Sequence, residues 1–297
     1  MTSPTYVHGY LGGENERLFH QANTLAELLH HDTVYPADSH VLEVGCGVGA
    51  QTIILAQRSP KAHFTAVDVS SVSLESARSS VQQHGLLNVA FHLGDVFCLP
   101  FEPNSFDHVF VCFVLEHLRQ PLEALARLKA VLKPGGTITV IEGDHASAHF
   151  YPESKYAQQA IDCLVTIQAR LGGNALIGRQ LFPLLKRAEF EDISVTPRPV
   201  YADATKPEWV EGFTKNTFTA MVEGAKAPAL ELGLINDATW EHGIADLHAT
   251  AEEGGTFNYT FFKGVAVKPL GACAKENLQA KKSRKLEIRK LPAFVRT

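Results

Sequence analysis

From about residue 40 the chain alternates short β-rich runs with longer helical patterns, and this alternation constrains the fold more than any other feature. The runs are HVLEVGC (40–46), HFTAVDVS (63–70), VAFHLGD (89–95), FDHVFVCFVL (106–115) and TITVIEGD (137–144). Between them lie AQTIILAQRSP, SLESARSSVQQHG and PLEALARLKAVLKPGG. In the last, apolar residues at 122, 125, 128, 131 and 132 trace one helical face, closed by Lys133-Pro134-Gly135-Gly136, a cation and then helix breakers. Strands alternating with helices build βαβ units, hence a mostly parallel sheet covered on both faces. The run FVCFVL suits a central strand buried on both sides.

After residue 150 the alternation lapses. Residues 153–171 and 178–188 read as helices, the second despite Pro183, and EDISVTPRPVY (191–201) reads as a strand. Residues 207–253 look mainly helical, and TFNYTFFKGVAVK (256–268) reads as two β-rich stretches around Lys263-Gly264. The N-terminal stretch 6–29 reads as an amphipathic helix with Leu18, Ala22, Leu25 and Leu29 on its packing face.

The first run opens directly into glycines at alternate positions: Gly45, Gly47 and Gly49. Glycine weakens a strand or helix interior and is favoured where backbone bends sharply or something approaches it closely. In an open parallel sheet, ligands bind beyond the carboxyl ends of the strands. This loop lies at that edge, so a ligand is expected against its backbone. Asp68 ends the second run, where a carboxylate accepts hydrogen bonds from ribose hydroxyls. A dinucleotide site wants GxGxxG facing a pyrophosphate. Here the spacing is GCGVGA, with Glu43 two residues before Gly45. A carboxylate there repels pyrophosphate and suits a ligand carrying positive charge near its ribose, such as S-adenosylmethionine.

VLEVGCGVG, AVDVS, LGDVFCLPFEPNSFDHVFVCFVLEH and LKPGGTITV together resemble the successive motifs of class I S-adenosylmethionine-dependent methyltransferases of the UbiE/methyltransferase-11 type, across about residues 38–145. The resemblance implies a Rossmann-like α/β fold: a seven-stranded, mostly parallel sheet with helices on both faces, an N-terminal helical lid and a helical cap. It divides the chain into a lid (1–37), a cofactor-binding core (38–150), the remainder of the core with an acceptor-binding cap (151–269) and a basic tail (270–297). It also implies roles. Gly45, Gly47 and Gly49 would line the methionine and ribose portion, with Glu43 beside the amino end. Asp68 would hold the ribose hydroxyls, with Val69 beside the adenine. Asp95 would hydrogen-bond the adenine amino group, with Val96 stacked near it, and Gly94 is a further cofactor-binding position. Cys112 and Phe113 would flank the methionine portion, with His117 just beyond. Tyr10 and Gln21 in the lid would touch the carboxylate or ribose.

Methyl transfer to a group protonated at working pH needs a base. Two histidines follow strands at the ligand edge, His117 after the fourth and His145 after the fifth. Glu142 and Asp144 beside His145 would favour its charged form; His30, His31 and His84 read as surface groups. Acceptor contacts are expected from Tyr151, Arg179 and Trp209. Phe150, Tyr156, Phe213, Phe218 and Trp240 supply further aromatic surface in the cap. No histidine spacing suggests a metal.

The net charge is −5, unevenly spread. From Lys275 to Thr297 eight Lys/Arg face two Glu, so that tail carries +6 and residues 1–274 carry −11. An acidic body argues against a nucleic-acid partner. The five cysteines form no CxxC pair, which reads as reduced thiols in a cytoplasmic protein. No secretory signal is seen, and no run approaches the 18 apolar residues of a membrane span. The expectation is a methyltransferase acting on a small molecule, its acceptor atom and oligomeric state open. The alternatives are a cofactor-binding regulatory protein and a protein or RNA methyltransferase. No NPPY-like tetrad follows the fourth strand; CFVLEH stands there.

Overall fold

The computed structural model describes residues 12–271. Tyr10, Cys273 and the basic stretch from Lys275 onward lie outside the described residues. The strands are β1 (His40–Val44), β2 (His63–Asp68), β3 (Val89–Leu93), β4 (Phe106–Cys112), β5 (Leu132–Tyr151), β6 (Glu191–Asp203) and β7 (Thr256–Val267). The α-helices are α1 (Gly12–His30), α2 (Ala50–Arg58), α3 (Ser71–Gln83), α4 (Pro121–Val131), α5 (Lys155–Arg170), α6 (Leu181–Arg187), α7 (Pro207–Trp209), α8 (Ala220–Glu223), α9 (Lys226–Glu231) and α10 (Asp237–Ala249). A π-helix, Val210–Thr219, joins α7 to α8.

All seven strands form one sheet in the order β3-β2-β1-β4-β5-β7-β6. Neighbours from β3 to β5 are parallel, and β7 runs antiparallel to both β5 and β6. The chain winds outward from β1 to β3, then crosses back to place β4 on the other side of β1. That reversal leaves a crevice beyond the carboxyl ends of β1 and β4.

Successive side chains point to opposite faces of the sheet, and the core divides accordingly. Val41, Phe110 and Ile141 join one cluster with residues of α1, α2, α5, α10 and the π-helix. Leu42, Val109 and Val140 join a second with α4 and α6. Helix starts follow local chemistry. Ser70 caps α3 by accepting from the Ser73 amide at 3.1 Å. Ser154 caps α5 through the Tyr156 and Ala157 amides, and Asn236 caps α10 through the Thr239 amide.

Two readings of the sequence change. The 256–268 stretch is one unbroken strand, because Gly264 is no turn: a Cβ there would lie 3.0 Å from Leu185, so glycine lets α6 pack closely on β7. His30 is fully buried rather than at the surface. Its Nε2 pairs with Gln51 Oε1 at 2.7 Å, tying the end of α1 to the start of α2. Burial lowers its pKa to about 4, so it is neutral near pH 7. Among the described residues no helix is long and apolar enough to cross a membrane.

The far end of α1 is fastened by charge. Lys263 of β7, 3% exposed, donates to Asp32 Oδ1, Thr33 Oγ1 and the Leu29 carbonyl. Arg198 of β6 donates to the other Asp32 oxygen. Partial burial works against ionising Asp32, but the hydrogen bonds and charges of Lys263 and Arg198 outweigh it and lower its pKa to about 2. Glu43, in the middle of β1, behaves oppositely. Burial lifts its pKa to about 7, with Thr52 opposing and Asp68 adding to the rise.

Two stability experiments follow. Replacing Asp32 by Ala strands the buried Lys263 charge. It should cost roughly 2 kcal/mol in urea unfolding at pH 7, below the about 3–5 kcal/mol of a fully buried pair because Asp32 is partly exposed. A depressed carboxylate pKa contributes stability above its unfolded value, lost as pH falls towards 2, so the gap should close between pH 4 and 2. Glu43 has the reverse sign: its contribution is complete below the unfolded value and lost as pH rises through about 7. Glu43→Gln should therefore be more stable than the parent at pH 8, by up to about 3 kcal/mol, and the advantage should vanish near pH 5.

Candidate functional site

The three glycines between β1 and α2 have different jobs. Gly45 (φ +73°) would place a Cβ 2.3 Å from a Val114 methyl, so it lets β1 close against the segment after β4. Gly49 (φ +84°) would place one 3.0 Å from Ala77, so it admits α3. Gly47 (φ +51°) has nothing within 4 Å of its Cβ position. It is the position that leaves room for a ligand.

The loop is also stitched internally. The Gly45 and Cys46 amides donate to the Val67 carbonyl, at 2.8 and 3.1 Å, and the Gly49 amide donates to the Cys46 carbonyl at 2.9 Å. The Gly47 amide donates to Asp68 Oδ2 at 2.8 Å, and the Ser70 amide to Oδ1 at 2.9 Å. Four of the five amides from Gly45 to Gly49 are thus already satisfied. A ligand resting on those amides, expected from the sequence, is not what this loop offers. It is a poor cradle for a pyrophosphate, which needs several open N–H groups. What it presents is the Asp68 carboxylate. Each oxygen accepts one backbone bond, and a carboxylate has room for about four. Burial raises the Asp68 pKa, against those backbone bonds.

A single cavity of about 660 Å³ opens from this loop. At one end it is lined by Gly47, Asp68, Val69, Gly94, Asp95 and Val96, and along its side by Gly45, Cys112, Phe113, Gln21 and His117. The structure brings these sequence-chosen residues to one surface. Asp95 also closes an Asx turn, its Oδ1 accepting from the Phe97 amide at 2.9 Å. Phe113 sits in left-handed backbone (φ +57°) at the end of β4, a strained conformation for a bulky residue. Glu43 is 2% exposed and stands behind the loop rather than on the cavity wall, and Gly49 likewise faces α3.

The far end is built from β5, β7 and the π-helix. His145 lies within β5 rather than after it, at a register shift between Asp144 and His149. Ser147 spans that irregularity, donating to the Asp144 carbonyl at 2.6 Å and accepting from the Thr260 amide at 2.8 Å. His145 Nδ1 lies 2.8 Å from the Tyr259 hydroxyl, and the ring meets Phe218 edge-on. Gly143 permits this pairing, since a Cβ there would fall 2.3 Å from that hydroxyl. Burial lowers the His145 pKa. The charged form expected from Glu142 and Asp144 is therefore not favoured: desolvation outweighs Asp144, and Asp144 is itself held by Arg179 in a two-pronged pair of 2.6 and 2.8 Å.

That pairing keeps Arg179 out of the cavity. Tyr151, 61% exposed, and Trp209, packed on the core, do not line it either. The sequence reading named Phe213 and Phe218 as cap aromatics; both are buried and face the cavity. Arg17, Glu116, Gln168, Tyr259 and Phe261 also line it, and sequence reasoning missed them. Arg17 stands one helical turn before Gln21 and donates to it at 3.0 Å, a spacing the helix period makes visible. Glu116 adjoins His117, but its burial depends on Gln168 and Asn174, which bind its carbonyl from 52 and 58 residues away.

Residues 41–136 match the family model described as a methyltransferase domain. An uncharacterised methyltransferase of Schizosaccharomyces pombe is 36% identical over 150 residues, covering 48% of this chain and 52% of that protein. A demethylmenaquinone methyltransferase of Listeria monocytogenes is 35% identical over 105 residues, covering 35% of this chain and 44% of that protein. The chain spans about half the length of the curated relatives it matches. Among solved structures, the YcgJ protein from Bacillus subtilis superposes with a TM-score of 0.55 at 16% identity, covering 85% of this chain and 99% of that one. Phosphoethanolamine N-methyltransferase 2 of Haemonchus contortus, solved with S-adenosyl-L-methionine, gives 0.53 at 19% identity, covering 86% and 57%. With their motif series, sheet order and family match, residues 41–136 form a methyltransferase domain similar to those of the class I S-adenosylmethionine-dependent methyltransferases.

Proposed function

We propose that this protein transfers a methyl group from S-adenosylmethionine to a small-molecule acceptor held in the same cavity. The observation that carries this reading is the cavity's two-ended construction. Asp68 and the open side of Gly47 stand at one end, and an enclosed aromatic chamber stands at the other.

The residues present fit the cofactor. Asp68 keeps acceptor capacity for two ribose hydroxyls. Gly47 leaves its Cβ space empty. The buried Glu43 behind the loop suits a ligand with positive charge near its ribose and disfavours a pyrophosphate. When bound, the cofactor supplies an activated methyl group. The protein's own residues supply alignment and exclude water. Phe113 and Cys112 form the wall between the two ends. Gln21 and Arg17 of α1 close the cavity from above, and Phe213, Phe218 and Met221 close it from the side. An acceptor small enough to fit beneath α1 and the π-helix is therefore the natural class, in line with the acidic body.

Calorimetric titration with S-adenosylmethionine, S-adenosylhomocysteine and NAD tests this directly. The two adenosyl ligands should bind and NAD should not. Hydrogen bonds to a charged group contribute about 1.5–3 kcal/mol each, so Asp68→Ala should weaken S-adenosylhomocysteine by at least roughly 10-fold. Binding to NAD alone, or an unchanged affinity in Asp68→Ala, would overturn the reading. Binding without turnover of any small acceptor would favour a regulatory role. The glycines predict a rank order as well. Gly45→Ala, facing a 2.3 Å clash, should lower both Tm and ligand affinity. Gly47→Ala, strained only by its backbone at about 1–2 kcal/mol, should keep more of both.

A further inference from the structure

We propose that His145 is the proton acceptor for a neutral, largely apolar acceptor bearing an ionisable hydroxyl, a phenol-like molecule, and that Tyr259 holds the imidazole in the tautomer this requires. The proposal rests on the methyltransferase reading and names the substrate class of that same site.

The chamber's charges decide the class. An ammonium acceptor is held best by an ionised carboxylate with an open oxygen; of those nearby, Glu116 and Asp144 are partnered, and burial holds Glu142 towards its neutral form. Glu116 Oε2 accepts from Gln168 at 3.3 Å, and Oε1 lies 3.6 Å from His117 Nε2. Asp144 is held by Arg179. Glu142 is fully buried, and its Oε1 accepts from the Val114 and Leu115 amides at 3.1 and 2.7 Å. Burial keeps its pKa well above the usual carboxylate range. The walls around His145 are Phe213, Phe218, Tyr259, Phe261 and Met221. They bury an aromatic ring well and give an ammonium no counter-charge.

Geometry also chooses between the two histidines. His117 faces Glu116 and is partly exposed. His145 is 5% exposed, lines the chamber and has Nδ1 occupied by Tyr259, which leaves Nε2 to meet a ligand. The 2.8 Å contact lets Nδ1–H donate to the Tyr259 oxygen, and it is in that tautomer, the one proposed, that Nε2 is an acceptor. The Tyr259 phenol, buried with its pKa well above 10, keeps its own proton. The groups whose charge acts on His145 are Glu116 and His117 after β4, Asp144 beside it and Arg17 of α1. Arg17 also disfavours the imidazolium and would steady a developing oxyanion.

The step balances. The acceptor oxygen forms a bond to the methyl carbon as that carbon's bond to sulfur breaks, and the bonding pair stays on sulfur. The hydroxyl proton passes to His145 Nε2. The products are a methyl ether, a neutral thioether and an imidazolium that later releases its proton to water. The neutral imidazole is the active form, and its pKa is lowered. The acid limb of kcat/KM should therefore lie below the ordinary histidine value near 6.5.

The test uses the full chain loaded with S-adenosylhomocysteine and three probes of one shape: 2-naphthol, naphthalene and 2-(aminomethyl)naphthalene. The naphthol should bind at least about 5-fold tighter than naphthalene, and the amine more weakly than both. His145→Gln should erase the naphthol's advantage and leave S-adenosylhomocysteine affinity unchanged. With S-adenosylmethionine it should lower kcat on 2-naphthol by roughly 100-fold or more. Tyr259→Phe should lower kcat by roughly 10-fold, and ¹⁵N spectra of His145 should lose the Nδ1–H form that the parent shows. Tighter binding of the amine, no binding of 2-naphthol to the loaded protein, or full turnover by His145→Gln would overturn the proposal while leaving the methyltransferase reading intact. Failure to bind S-adenosylhomocysteine at all would overturn both.

Discussion

The hydrogen bond from the Gly47 amide to the Asp68 carboxylate is the contact on which the site's shape depends. It joins the loop after β1 to the end of β2, two strands that already pair in parallel register. The same carboxylate caps the turn into α3 through the Ser70 amide. One side chain thereby fixes the loop, the start of the next helix and the direction of its own remaining lone pairs. A loop of open amides would grip a pyrophosphate; this one uses its amides internally and presents an acceptor. Ligand choice therefore follows from where the backbone hydrogen bonds go, not from the glycines alone.

The roof over the cavity has a different origin. The start of α1 lies above the chamber, with Arg17 and Gln21 facing in. Its far end is held to the sheet by Lys263, Arg198 and Asp32, and to α2 by His30 and Gln51. Gln51 itself lines the cavity. The helix is thus anchored firmly at its C-terminal end, by residues from strands more than 160 positions away, while Arg17, Leu18 and Gln21 line the cavity.

Much of this was legible in the sequence because the signals were local. Alternation of strands and helices, the glycine spacing and Asp68 at a strand end each depend on neighbours within about 25 residues. What escaped detection depended on distant partners. Arg179 looked available for an acceptor until Asp144, 35 residues earlier, took both prongs of its guanidinium. His145 looked set to be charged by the acids beside it, but the π-helix and β7 exclude water from it. Tyr259 gave no sign at all, because its role depends on β7 returning antiparallel beside β5. Lys263-Gly264 read as the point that separates two β-rich stretches because the partner that justifies the glycine, Leu185, sits on another element.

The distribution of buried carboxylates completes the argument. Glu43 and Glu142 are almost wholly buried, and each has a side-chain oxygen without a hydrogen-bond partner among the described residues. Burial of that kind is unfavourable, and apolar replacements of similar volume are often neutral or stabilising. A fold selected for stability alone has little reason to place two such groups on β1 and β5, the strands that flank β4 in the middle of the sheet. Both stand close behind the wall that faces the cavity, Glu43 behind the glycine loop and Glu142 bonded to the Val114 and Leu115 amides. Burial holds Glu142 towards its neutral form and brings Glu43 to about 7, so a positive ligand charge nearby would draw Glu43 into its ionised form. At the β5 and β7 end, neutral His145, protonated Tyr259 and a ring of phenylalanines line the cavity. A cavity polarised in this way favours a cation at one end and a neutral apolar partner at the other, and it favours the exchange of charge between them that methyl transfer accomplishes.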